Sequence, residues 1–351
     1  MNAENKFTVL AWAVDQTDPF DAGGDMKNNL QRFLMCGVAL VLGISSVSVW
    51  AQTVVYPARP IRLVVPTPAG GPTDVLARVL GQKLSDAWGQ PVVIDNRPGA
   101  NQIIGTNLVA KSAPDGYTLL MTVDSTMTMH QFAYKKLPYD PAKEFVPVAI
   151  IANSFVLLVA GEALPVKSLA DVIKLAKADP GKLSVGTGTL TTQVIAERLR
   201  SLSGTKMLPV SYAGSGQLTL AVLAGSIDLA VDGYVSYKDH VAKRNLKLLA
   251  ITGAQRSPVL PDVPTFAELG FPGFDTGVWL GMSAPAGTSP EIVKKLSDQI
   301  GLILAMPDVK ERLLVMGMEP LSSTPESTAA FIKSEANKWG KVIQEVGITL
   351  D

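Results

Sequence analysis

From position 56 onward, short β-branched runs alternate with longer stretches of helical spacing, and this alternation limits the fold more than any other feature of the chain. Ile61–Val65 reads as a buried strand. Across residues 74–88 the apolar Val75, Leu76, Val79, Leu80, Leu84 and Trp88 recur at helical spacing. Residues 91–94 read as a strand, 103–113 as a helix and 118–123 as a third strand. Strands separated by helices imply a parallel sheet with crossover helices. A long β-rich run at 146–160 breaks the rhythm, and a second α/β series follows. It comprises helices at 169–178, 191–202 and 217–224, with strands at 183–186, 207–210, 229–231 and 246–251. An extended segment at 276–284 then precedes helices at 290–304 and 325–345. The expected architecture is α/β in two lobes, with two extended crossings forming a hinge. Residues 52–153 and 276–351 make one lobe and 154–275 the other.

The segment before this pattern reads as a leader. Lys27 and Arg32 precede an uncharged, mostly apolar run from Phe33 to Trp50, and Val49-Trp50-Ala51 offers small residues at the outer two of three positions before Gln52. That is the layout of a cleaved secretory signal peptide at 26–51. A retained membrane anchor is the competing reading, weakened by three serines and two glycines in the run. Residues 1–25 carry Glu4, Asp15, Asp18, Asp21 and Asp25 against Lys6 alone. They read as a mis-assigned extension ahead of a start at Met26.

Cleavage after Ala51 removes Cys36, the one cysteine, so the mature chain can form neither disulfides nor thiolate metal sites. It also takes 3 of 31 basic and 5 of 31 acidic residues, leaving 28 against 26, a net charge near +2. Such a balance offers nothing for nucleic acid. His130 and His240 are too few for a histidine-rich metal site, although a carboxylate-rich calcium site is not excluded by count. Each histidine reads as a surface or capping residue rather than a general base. No nucleophile with a paired base is visible: Ala213-Gly214-Ser215-Gly216-Gln217 lacks the flanking glycines of a nucleophile elbow, and Thr187-Gly188-Thr189 has no phosphate-loop lysine. No enzyme, cofactor or metal is expected.

The chemistry sits in loops that follow strands. In Pro68-Ala69-Gly70-Gly71-Pro72-Thr73-Asp74, two glycines permit a sharp turn and Pro72 suits a first helical turn. Free N–H groups at that helix end attract an anion. A plain strand–helix connection explains the same residues equally well. Asp74 reads either as a helix cap or as a partner for a ligand ammonium or hydroxyl. Asp124-Ser125-Thr126, then Thr187 to Gln193, then Tyr212 to Gly216 repeat the pattern, rich in hydroxyls and glycine and poor in charge.

Read together, these loops resemble the solute-binding receptors of tripartite tricarboxylate transporters, the Bug receptors. The matches are YPARPIRLVVP from Tyr56, AGGPTD from Ala69, DNRPGA from Asp95, APDGYT from Ala113, KLPYDP from Lys136, LPDVPT from Leu260, SAPAGT from Ser283 and KWGK from Lys338. The resemblance implies a two-lobed, type II-like periplasmic binding protein that holds a small carboxylate between its lobes. It also implies delivery to the membrane subunits of such a transporter. By resemblance the ligand is gripped by Pro68, Ala69, Gly70, Gly71, Thr73 and Asp74 of the first loop and by Thr187, Gly188, Thr189, Thr191, Thr192 and Gln193 of the second lobe. Ser125, Thr126, Tyr212, Ser215 and Asp232 match further cleft positions. The chain departs from the family where GTGTLTTQ from Gly186 replaces a Ser-Ser-Gly-x-Gly-Ser loop and places Gln193 at a histidine position. Pro72 and His130 stand where alanine and asparagine are common, so ligand identity does not carry over. The expected protein is a periplasmic monomer. A ligand-sensing partner of a membrane sensor kinase, or a secreted α/β enzyme, are the alternatives.

Overall fold

The computed structural model describes residues 56–351 apart from Arg244 and Thr276. The extension at 1–25, the signal peptide at 26–51 and the boundary residue Thr276 lie outside the described residues.

Two mixed sheets organise the chain. The first half of the larger sheet forms as the alternation dictates: β1 (Ile61–Val65), α1 (Pro72–Trp88), β2 (Val92–Asn96), α2 (Ile103–Ala110) and β3 (Thr118–Val123). β1 pairs in parallel with both β2 and β3. Two short helices, α3 (Asp124–Thr128) and α4 (His130–Ala133), follow where a strand-end loop is expected from the sequence. The reason is burial: Ser125, Thr126 and Thr128 are fully enclosed, and Thr126 and Thr128 return their hydroxyls to backbone carbonyls of Val123 and Asp124.

The β-rich run divides at Phe155 into β4 (Phe145–Ser154) and β5 (Val156–Gly161), which enter different sheets. β5 joins α5 (Leu169–Ala178), β6 (Ser184–Thr187), α6 (Leu190–Ser203), β7 (Leu208–Ser211), α7 (Ser215–Leu223), β8 (Leu229–Gly233), α8 (Lys238–Ala242) and β9 (Leu246–Ile251) in a second lobe. Its strand order is β7-β6-β8-β5-β9. β10 (Val278–Pro285) then returns to the first sheet, followed by α9 (Pro290–Ala305), α10 (Pro307–Val315), β11 (Met318–Pro320) and α11 (Pro325–Val346). The first sheet runs β11-β4-β10-β3-β1-β2. It is not purely parallel: β10 is antiparallel to β3 and β4, and β11 to β4. A strand that returns from the other lobe enters without a crossover helix, so antiparallel pairing is open to it.

The two crossings run side by side. Thr252 exchanges hydrogen bonds with Val156, at 2.9 Å from its N–H and 3.1 Å to its hydroxyl. A Cβ on Gly277 would stand 2.0 Å from the Ser154 carbonyl oxygen, so only glycine lets the second crossing pass the first. α1, α9 and α10 bury Leu76, Leu80, Leu296, Ile300 and Leu313 against one face of the larger sheet. The smaller sheet is covered on both faces. A separate apolar cluster joins the lobes: Leu190 and Val194 of α6 pack with Met129, Ala133 and the α11 residues Trp339, Val342 and Ile343.

Candidate functional site

A cavity of about 560 Å³ lies between the two sheets, in the size range of small-ligand sites. It is lined from one side by residues 66–69 and 71–73 of the β1–α1 loop and by residues 98–102 of the β2–α2 loop. The other side comprises residues 187–189, Thr192 and Gln193, residues 211–216, Asp232 and Gly233. Of the residues singled out from sequence, Pro68, Ala69, Gly71, Thr73, Thr187, Gly188, Thr189, Thr192, Gln193, Tyr212, Ser215 and Asp232 all line it. Gly70, Asp74, Ser125, Thr126 and Thr191 do not.

Those five serve the wall from behind. Asp74 turns away from the cavity and accepts hydrogen bonds from the Gly70 N–H at 2.9 Å, the Asn96 amide at 2.9 Å and the Arg78 guanidinium at 2.9 and 3.0 Å. Burial alone would raise its pKa, but the Arg78, Gly70 and Asn96 donors together hold the carboxyl below the usual carboxylate range. Asn96 also donates to the Thr67 carbonyl at 3.1 Å. The acidic residue therefore braces the β1–α1 loop and makes no cap hydrogen bond to α1. Asp74→Asn should lower stability by about 1–2 kcal/mol through weakened charged hydrogen bonds. A fall in the urea midpoint at unchanged slope is the expected readout.

Ser125 donates to Gln102 Oε1 at 3.0 Å, which fixes a side chain of the cavity wall. The Thr126 hydroxyl goes to the Val123 carbonyl at 2.6 Å. Thr191 donates across the lobes to Asp124 Oδ1 at 2.8 Å, with both residues fully buried. Burial pushes the Asp124 carboxyl up to about 7 against the Thr191 hydroxyl and Ser125 N–H, with Glu335 adding repulsion. His130 is neither surface residue nor cap. It is buried, with Nδ1 2.7 Å from the Tyr139 hydroxyl, and desolvation lowers its pKa to about 3.

Residues 98–102 were not singled out as site residues from sequence. Ala100, Asn101 and Gln102 have φ of 45°, 51° and 77°, three successive non-glycine residues in the left-handed region. Such strain persists only where the surroundings impose it. The signal available beforehand was a Pro-Gly pair at the carboxyl end of β2, on the same sheet edge as the first loop.

The electrostatics of the wall follow from how the helices begin. α5, α6, α9 and α11 cap their first turns with Ser168, Thr189, Ser289 and Thr324. α1, α2 and α7 have no side-chain cap, and all three begin at the cavity, after Gly71, Gln102 and Gly214. The open N–H groups of α1 and α7 and their positive dipole ends suit an anion, whereas the Ile103 and Ile104 N–H groups that begin α2 bond back to the Ala100 and Gly99 carbonyls. No Lys, Arg or His lies among the described residues that line the cavity, and Asp232 is the one formally charged group there. Across the mouth the lobes touch: a Cβ on Gly214 would come within 3.1 Å of Pro68 Cγ. No group of His, Cys, Asp and Glu suited to a metal ion occurs among the described residues.

Comparison with known proteins agrees with this arrangement. Residues 76–348 match the family described as tripartite tricarboxylate transporter family receptor. BugT of Bordetella pertussis is 35% identical over 325 residues, covering 92% of this chain and 99% of its own. Among solved structures, the R. palustris protein Rpa4515 with adipate superposes with a TM-score of 0.81 at 34% identity, covering 84% of this chain and 99% of that one. MatC from Rhodopseudomonas palustris with bound malate gives 0.78 at 32%, covering 82% and 100%. The periplasmic binding protein BugD gives 0.79 at 30%, covering 84% and 99%. The fold is that of the two-lobed periplasmic binding proteins, and the chain belongs to the tripartite tricarboxylate transporter receptor family.

Proposed function

We propose that this protein captures a small carboxylate between its lobes in the periplasm and presents it to the membrane subunits of a tripartite tricarboxylate-type transporter. The observation that supports the reading is the convergence of uncapped helix N-termini from both lobes, α1 from one and α7 from the other, on a cavity with no cationic side chain among its described lining residues. A carboxylate held there exchanges its hydration for main-chain N–H groups and hydroxyls of Thr73, Thr187, Thr189 and Ser215. Gly71, Gly188, Thr192, Gln193 and Tyr212 shape the cleft around it. Adipate and malate on the two related structures support the ligand class. Capture needs no covalent step: a ligand touching both lobes favours the closed state by its differential contacts. The protein acts as a monomer, exported through a signal peptide removed after Ala51.

Thermal denaturation against a panel of mono-, di- and tricarboxylates tests this. A ligand at 100 times its Kd should stabilise the protein by about 2.7 kcal/mol. A flat response to every acid, with neutral or cationic compounds shifting the melt instead, would sink the proposal.

A further inference from the structure

We infer that Gln102 is a further ligand-binding residue of this cleft, its Nε2 amide donating to an oxygen of the bound acid, and that Ser125 is the positioning residue that aims it. The inference rests on the carboxylate reading above and adds to it a donor that no helix end provides.

Gln102 closes the β2–α2 loop. Gly99, Ala100, Asn101 and Gln102 have φ of 124°, 45°, 51° and 77°, so the left-handed run ends on this residue. It stands at the N-cap of α2, yet its side chain caps nothing. Its backbone is pinned instead: the Gln102 carbonyl accepts the Thr106 N–H at 3.2 Å and the Thr106 hydroxyl at 2.9 Å. Glycine adopts such a conformation without cost, and glutamine does not. A strained non-glycine residue at a cavity points to a side chain with work to do there. The first N–H groups of α2 are taken by the Ala100 and Gly99 carbonyls, so the side chain is what this loop presents.

Gln102 is 4% exposed and lines the cavity, so the surface it keeps is cavity surface. Its Oε1 accepts the Ser125 hydroxyl at 3.0 Å. Ser125 is fully enclosed, and its hydroxyl has no other acceptor among the described residues. Turning the amide over would leave that proton buried and unpaired, so the oxygen faces Ser125 and the nitrogen faces away from it. Nε2 donates to nothing among the described residues, and it is not sealed inside the protein. A free amide N–H in a cavity lined by no described cation is a neutral donor for a carboxylate oxygen.

Titration calorimetry with acetate, succinate, adipate, malate, citrate and benzoate identifies the acid that binds best, and variants are compared on that acid. Gln102→Met keeps the length of the side chain and removes the amide. It should weaken binding roughly ten-fold or more, the loss of one hydrogen bond to a charged acceptor. Gln102→Gly relieves the left-handed backbone, so it should melt no lower than Gln102→Met while losing affinity equally. Ser125→Ala should weaken binding in the unaltered protein and add nothing in the Gln102→Met background. Wild-type affinity in either Gln102 variant overturns the inference. No loss from Ser125→Ala, or a loss undiminished in the Gln102→Met background, overturns the positioning role. Binding of no acid at all overturns the carboxylate reading itself, a result distinct from the others.

Discussion

Gly214→Val is expected to cost at least 100-fold in ligand affinity, about 2.7 kcal/mol, while leaving the unliganded protein folded. Gly214 has φ 168° and ψ 173°, an extended conformation open to any residue, so a side chain there brings no backbone strain. What it meets is the other lobe. A Cβ would stand 3.1 Å from Pro68 Cγ and 3.3 Å from Pro68 Cδ, and the two methyls of valine have still less room. Gly214 and Pro68 belong to opposite lobes, so any opening of the cleft relieves this crowding. A bulky residue therefore acts on the closed form alone, which is the form a ligand needs. Valine is a poorer N-cap than glycine, so a loss of up to about 1 kcal/mol in the unliganded protein is expected. Pro68→Ala removes both crowded ring atoms, and the double variant should recover part of the lost affinity, a coupling that neither change shows alone. Wild-type affinity in Gly214→Val would mean that ligands bind without this closure.

Asp124→Asn is expected to stabilise the protein at pH 8 and to change little at pH 4. The folded-state pKa of Asp124 is raised to about 7, first by burial, so the folded protein keeps a proton that the unfolded chain releases near 3.8. A raised carboxyl pKa contributes its full stability below the unfolded value. That contribution falls as pH rises from about 3.8 to about 7 and is constant beyond. At about 1.4 kcal/mol per unit, the penalty at pH 8 is several kcal/mol. Asparagine keeps Oδ1 as acceptor for the Thr191 hydroxyl and the Ser125 N–H and has no proton to lose. The melting temperature of the variant should exceed that of the wild type by roughly 5 °C or more at pH 8, with the gap closing toward pH 4. The difference between the two proteins isolates this residue. Asp232 shifts stability in the same direction, and buried neutral His130 in the opposite one. A gap independent of pH would show that Asp124 titrates normally.

Local pattern was enough to read the α/β alternation, the two lobes' worth of strands and the loops at their carboxyl ends. Periodicity and glycine placement are properties of short segments, and Ile61–Val65 or Leu246–Ile251 announce themselves by composition alone. The same is true of the loop after β1, whose Gly-Gly-Pro start leaves a helix uncapped. Which hydroxyl faces the cleft was a different matter. Thr191 and Thr192 are adjacent and chemically alike, yet one crosses to Asp124 and the other lines the cavity. A helix rotates successive side chains by about 100°, so the direction each takes depends on what packs against α6, here α11 and α3. Asp74 likewise looked free for a ligand until the fold brought Asn96 and Arg78 around it. The left-handed run at residues 100–102 has no local cause, because alanine and glutamine do not choose that conformation unaided. Segment identity follows from spacing along the chain, whereas side-chain orientation and imposed backbone strain come from contacts between residues far apart in it.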